Sequence, residues 1–342
     1  MYRMESAREG RLESEDRPAR KPGGLLFERE GRMGELPEIF LDNIAPVFLV
    51  AAVGFIVGRH FRLEPRTLSR LVFNIFSPAL VFRSLATTDI SLTELGQLLL
   101  VMGLIYACMA VVAYVVVHAQ HGSRVDRANV MLSAVSPNSG NLGLPVIDFA
   151  FGPEVLARAV VVFVAMTILN NTVGVYIASS GRSSPREAIG KVLHVPAVYA
   201  VIAGLLVKGA GITLPLAIAR SADLLADSSI PCMLVLLGLQ LAQFENLERL
   251  RLASVGAGLR LLAAPLVAAG MVTLMRLSPQ ASIAVLMQAS MPVGVFTSIF
   301  ASEFELDSQL SLSIILTSTL ASPITLSLLI LLLHRSMPAI AP

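Results

Sequence analysis

The sequence predicts an all-α integral membrane protein of ten transmembrane helices, arranged as a five-plus-five inverted repeat in which helices 4 and 9 are broken and cross. Three observations predict it. The first is composition: 55% of the 342 residues are hydrophobic, 15% are charged, and the mean hydropathy is +0.73, well outside the usage of a soluble domain. The second is ten apolar stretches separated by short polar loops, each near the roughly 20 residues that cross a hydrocarbon core. The third is a pair of interruptions, SPNSGN at 136–141 and MPVG at 291–294, in corresponding parts of the two halves. Proline removes a backbone donor and clashes with the preceding turn. A helix interrupted at membrane depth is tolerated only where protein or a water-filled cavity covers the freed polar groups.

Residues 1–37 stand apart, with eight Lys or Arg, eight Asp or Glu and no apolar run, so a disordered hydrophilic tail is expected there. One transmembrane domain, 38–342, follows, with repeats at 38–180 and 190–335. Segment 1 (38–59) carries PVFLVAAVG at 46–54, and segment 6 (192–208) carries PAVYAVIAG at 196–204. Segment 2 (66–87) carries Asn74 and Pro78; segment 7 (215–241) answers with Asp227 and Pro231 at nearly the same offset. Segment 3 (94–118) opens on Glu94. Segments 4 (126–151) and 9 (279–302) hold the two interruptions, and segments 5 (154–178) and 10 (308–334) pair Thr167 with Thr319. Segment 8 (248–275) contains Arg260. Proline and glycine are frequent in membrane helices, but four correspondences on nearly one diagonal indicate a repeat. Five is odd, so the second half enters from the opposite side.

The loops after segments 1, 3, 5 and 7 hold Arg59, Arg62, Arg66, Arg70, Arg124, Arg127, Arg182, Arg186, Lys191, Arg249 and Arg251, more basic residues than the opposite loops. The positive-inside bias places those loops in the cytoplasm, both termini outside it, and the protein in the plasma (inner) membrane; Arg29 and Arg32 in the tail point weakly the other way. A net charge of +2 gathered in no patch, together with the absence of Trp, excludes nucleic acid as a partner class. No HExxH, Gly-x-Ser-x-Gly, P-loop or Cys/His cluster is present, so no enzyme activity is expected.

A broken helix presents half-helix termini inside the protein. The second half of segment 4 is expected to begin near Asn141 or Leu142 and that of segment 9 near Gly294, each offering free N–H groups and the positive end of a macrodipole to a carboxylate. A lone Pro-Gly kink is a packing feature; four polar side chains in six residues at membrane depth, as in SPNSGN, carry a cost that points to function. The candidate substrate-binding residues are therefore Pro137, Asn138, Ser139, Asn141, Pro292 and Gly294, with contact weighted toward segment 4. Asn74, Asp227 and Glu303 are candidates for ion coupling or support. Asp227 has a second reading, a structural pair with Arg260. Asn170 and Asn171 either line the cavity or hydrogen-bond between helices, and Arg83 and His194 near segment ends need no role beyond snorkelling.

These residues resemble a known family. SPNSGNLGLPVIDFAFG and MPVGVFTSIFASEFELD are similar to the segment-4 and segment-9 motifs of auxin efflux carriers, while IPCMLVLLGLQLA and TSTLASPITLSLLI resemble that family's seventh and last helices. The resemblance spans 38–334. It implies a ten-helix carrier related to the bile acid/sodium symporter fold, with bacterial members acting as permeases for malate, malonate and similar carboxylates, and with Pro137, Asn138 and Pro292 at the crossing. TELGQLLL departs from the plant branch, offering Glu94 without a Lys four residues on. The expected partners are a small carboxylate and the lipid bilayer, with a homodimer through segments 1, 2, 6 and 7. No cofactor is expected, and sodium or a proton is the candidate coupling ion.

Overall fold

The computed structural model describes residues 36–120, 123–179, 193–244 and 247–337, and among these every regular element is helical. The predicted tail, except its last two residues, and the loop residues Arg29, Arg32, Arg182, Arg186 and Lys191 lie outside the described residues. Among the described residues, seven helical spans are long and apolar enough to cross a membrane. They are α1 (Leu36–Phe61), α2 (Pro65–Thr87), α3 (Leu92–Ala119), a 40-residue span over Ser139–Ala178, α8 (Leu216–Leu241), α9 (Leu250–Met275) and α12 (Ser308–Ser336). The 40-residue span contains a turn. Gly152 has φ 72° and ψ −169° and is followed by Pro153, a backbone conformation essentially confined to glycine, so the span divides into α5 (139–151) and α6 (153–178).

Three predicted segments are not single long helices. Segment 4 is split into α4 (Arg124–Val135) and α5, and segment 9 into α10 (Pro279–Ala289) and α11 (Phe296–Glu303). Segment 6 is α7 (Pro196–Gly209), whose 14 residues span only about 21 Å at 1.5 Å per residue. Helix starts follow their caps. Ser123 and Asp126 form a reciprocal capping box on α4, and Ser91, Ser278 and Asp307 accept a first-turn N–H on α3, α10 and α12, satisfying donors that a helix leaves unpaired.

Two groups of helices emerge from the packing. In one, α1 packs along the second half of α8, and α2 along α7. The contact of α1 with α8 is backbone to backbone: a Cβ on Gly238 would collide with Ala51 O and Phe55 N, and one on Gly54 with the Val235 carbonyl. Small residues are what allow helices to approach so closely in lipid. Arg83 of α2 is ion-paired with Asp227 of α8. Just past the same end of α2, Asp89 meets Lys208 of α7 at 2.5 Å, and that hydrogen bond holds the Asp89 carboxyl below the usual range.

The other group comprises α3–α6 and α9–α12, and charged side chains tie it at each end. At one end Arg158 of α6 forms a two-pronged bond to Glu94 of α3 (2.6 and 3.2 Å), and Ser278 before α10 donates to the same carboxylate at 3.1 Å. At the other, Arg249 before α9 reaches Asp126 of α4 at 2.5 Å and Asp307 before α12 at 2.9 Å. Along α12 a row of buried Ser and Thr (Ser311, Ser318, Thr319, Ser322) permits close packing without a large polar cost. Outward faces of both groups carry exposed apolar side chains such as Leu49, Leu206, Leu266 and Ile324, as lipid-facing helices require.

Candidate functional site at the paired interruptions

Proline leaves a helix without a donor, and a carbonyl one turn back without a partner. Here two such defects complete each other. Beyond α4 the chain turns extended at Ser136 (φ −113°, ψ 88°). Asn138 N donates to Pro292 O at 2.7 Å, and Gly294 N donates to Ser136 O at 2.9 Å. The result is an isolated antiparallel bridge between Pro137 and Val293. Val293 N donates in turn to Ser318 Oγ of α12 at 3.1 Å. A Cβ on Gly294 would lie 3.0 Å from Pro137 O, so the close approach uses a glycine.

Past the bridge both chains re-enter helices. α5 opens on Ser139 with Asn138 at the N-cap, and α11 opens on Phe296 with Val295 there; neither N-cap side chain bonds the helix. The first-turn N–H groups of α5 therefore point back at the interruption with the positive end of a macrodipole behind them, whereas in α11 Thr297 N and Ser298 N already donate to Gly294 O and Val295 O. Asn138 is 5% exposed and its Nδ2 has no hydrogen-bond partner. Asn141 Nδ2 donates to Gln240 Oε1 of α8 at 3.2 Å, while its Oδ1 is unpartnered. Asn170 is an anchor: its Oδ1 accepts from Ser136 Oγ at 3.0 Å and from Tyr106 O–H at 3.4 Å.

A cavity of about 310 Å³ lies against this unwound stretch. Asn138, Ser139, Asn141, Asn170 and Gln240 are among its polar lining residues, and Phe163, Phe296 and Phe300 among its apolar ones. It extends to Ser69 of α2 and His194 just before α7; among the described residues no Lys or Arg lines it. The volume falls at the lower edge of small-molecule sites, which run about 300–1,000 Å³.

Of the residues predicted from sequence, the fold gathers Asn74, Pro137, Asn138, Ser139 and Asn141 around this cavity. Pro292 and Gly294 hold the bridge by their backbone and do not line it. Asp227 and Glu303 are outside the lining, Glu303 being exposed at the end of α11. Asn170 and Asn171 both line the cavity; Asn171 also donates to Thr167 O within its own helix. Three sequence expectations are corrected. Asp227 pairs with Arg83 rather than Arg260, because the first half of α8 packs on α2 while Arg260 lies against the ends of α4 and α10, and so Arg83 is engaged rather than snorkelling. Arg260 binds backbone carbonyls instead. The second half-helix of segment 4 begins at Ser139, and that of segment 9 at Phe296, because Pro292–Gly294 leaves the helix to make the bridge.

Sequence reasoning gave no role to Gln240, the phenylalanine wall or Asp148. Asp148, on α5 and part-buried, lies within electrostatic reach of Arg83 and Asp227 across the two helix groups. Its position two turns after SPNSGN was the available signal.

Known proteins carry the same arrangement of sequence. An uncharacterized transporter of Methanothermobacter thermautotrophicus is 27% identical over 293 residues, covering 84% of this chain and 96% of the relative. One of Methanocaldococcus jannaschii is 23% identical over 299 residues, 84% of this chain and 97% of the relative. The uncharacterized transporter YfdV of Escherichia coli K12 is 23% identical over 216 residues, 59% of this chain and 69% of the relative. The model of a family described as membrane transport protein matches residues 39–190 and 180–330. With its apolar spans and that match over nearly all described residues, the chain is an integral membrane protein and belongs to the membrane transport protein family, that of the auxin efflux carriers.

Proposed function

We propose that this protein is a secondary carrier for small organic anions such as malate, malonate or related carboxylates, working by alternating access around two crossed, broken helices. The observation that carries the reading is Asn138: a residue that lines the cavity at a half-helix N-terminus, with a buried amide donor that has no partner. An unsatisfied buried donor costs about 1–3 kcal/mol. A carboxylate oxygen seated there removes that cost and accepts from the first-turn N–H groups as well, so the site needs no permanent cationic side chain.

The architecture behind this reading is ten crossings in a five-plus-five inverted repeat. α4 with α5, and α10 with α11, are then crossings 4 and 9, and α6, joined to α5 at Gly152, is crossing 5. The packing supports it: α1 against α8 and α2 against α7 exchange places under the repeat, and the two charged ties at the ends of α3 and α9 stand in the same relation. In this reading α1, α2, α7 and α8 are the scaffold and natural homodimer surface, and the other helices move. The cavity leads to the ends of α2 and α7 that adjoin Arg59, Arg62, Arg66 and Arg70. By the positive-inside bias that end is cytoplasmic, the membrane is the plasma membrane, and this conformation faces inward with both termini outside.

The test is uptake and counterflow of radiolabelled carboxylates in proteoliposomes. Asn138→Ala is expected to lower transport about 10- to 100-fold, the range for a hydrogen bond to a charged group of about 1.5–3 kcal/mol, with melting temperature little changed. Undiminished transport by that variant would remove Asn138 from the site.

A further inference from the structure

Arg260 is 2% exposed, in the middle of α9 on a π-turn (Leu259–Ala263), and among the described residues it has no carboxylate partner. Its Nη1 donates to Ala134 O at 2.8 Å and its Nη2 to Ala289 O. Those two carbonyls belong to the last turns of α4 and α10, the two half-helices that end at the interruptions. One guanidinium therefore caps both truncated C-termini at once. An unpaired charge at membrane depth costs several kcal/mol. What offsets it here is the negative end of two macrodipoles, each equivalent to about half an elementary charge, together about one. The fork geometry of arginine suits two separate carbonyls, which a lysine point charge does not. In carriers with discontinuous helices, such C-terminal ends are where a coupling Na⁺ or H⁺ is coordinated.

We propose that Arg260 is the built-in counter-cation of the paired interruptions. It supplies permanently the charge that would otherwise arrive with a bound monovalent cation, and so makes translocation of the anion independent of such a cation. The second clause rests on the carrier reading above; the first stands on the geometry of α4, α9 and α10 alone. Arg260 is not among the residues that line the cavity, so it is a positioning residue: it holds two helix ends together and leaves the N-terminus of α5 to face the anion.

The experiment has a binding arm and a transport arm. In the first, thermal unfolding of purified wild type, Arg260→Ala and Arg260→Lys is followed at constant ionic strength while choline chloride is exchanged for sodium, potassium or low-millimolar guanidinium chloride. Wild type is expected to be indifferent to the cation, and Arg260→Ala to melt lower and regain stability with the small cations, guanidinium most. Arg260→Lys, which retains a charge but reaches one carbonyl, is expected to lie between them and to serve where the alanine variant does not fold. In the second arm, wild-type transport is expected to be unchanged by a sodium gradient, and that of Arg260→Ala to be lost and restored by guanidinium. Overturning results are wild-type transport that follows sodium, or variants of Arg260 that melt and respond as wild type does. Absence of carboxylate transport in every sample would fail the carrier reading while the binding arm still decides the role of Arg260.

Discussion

Arg83 has two acidic neighbours on different helix groups, and which of them it needs can be measured. Asp227 is 68% exposed at its side chain and bonds Arg83 directly; Asp148 reaches both from α5. Exposed pairs contribute about 0.2–1 kcal/mol, so Asp227→Asn alone should barely move the melting temperature, since Asp148 still compensates Arg83. Asp148→Asn alone should do as little. The double variant leaves the guanidinium without an acid, and its loss should exceed the sum of the two by about 0.5–3 kcal/mol. Strict additivity in unfolding experiments would show that Asp148 does not share the pair. The same chemistry explains why Asn138 was visible in the sequence and Arg260 was not understood from it. An amide beside proline in an apolar run announces an unusual backbone, whereas the partners of Arg260 are main-chain carbonyls of Ala134 and Ala289 that no side-chain pattern marks.

Helices in this molecule are placed by what their glycines leave out. Gly238→Ala should destabilise by about 1–3 kcal/mol or more, the usual cost of overpacking, because the new methyl meets the backbone of α1 and that backbone belongs to a packed helix. Gly152→Ala should cost a similar amount for a different reason: nothing lies within 4 Å of a Cβ there, but φ is 72°, and such strain costs about 1–3 kcal/mol. Gly258, helical and with open space around it, is the control; alanine there should stabilise by up to about 1 kcal/mol. Thermal melts of the three variants decide, and a stabilised Gly238→Ala would contradict the backbone contact of α1 with α8. Boundaries of this kind were partly legible. Gly152-Pro153 marks the end of segment 4 by turn chemistry, and SPNSGN and MPVG mark the breaks because proline cannot propagate a helix. Segment 6 reads from 192 in the sequence, whereas its helix starts only at Pro196, because hydropathy counts apolar residues without seeing where a helix begins. The non-helical stretch around Val293 depends on pairing with Pro137, a contact between residues about 155 apart that no local pattern contains.

At the scale of the whole molecule, the Glu94–Arg158 and Arg249–Asp126–Asp307 ties fasten opposite ends of one helix group, and Arg260 sits inside that group between them. Charges near the ends border water and cross little of the membrane field; Arg260 lies deep within α9. On the proposed cycle the helix group therefore carries one positive charge through the field when empty and none when a monovalent anion is seated beside it. An elementary charge moved across 100 mV is worth about 2.3 kcal/mol. Exchange of a labelled monocarboxylate between loaded forms should consequently ignore an imposed voltage, while net efflux, which needs the empty form to return, should depend on it. Replacing Arg260 by Met should transfer voltage dependence to the loaded step. Flux measurements under potassium diffusion potentials separate these cases, and a voltage-steep exchange in the wild type would show that the arginine does not travel with its anion. The buried guanidinium thus decides which stroke of the cycle the cell's electrical potential can drive.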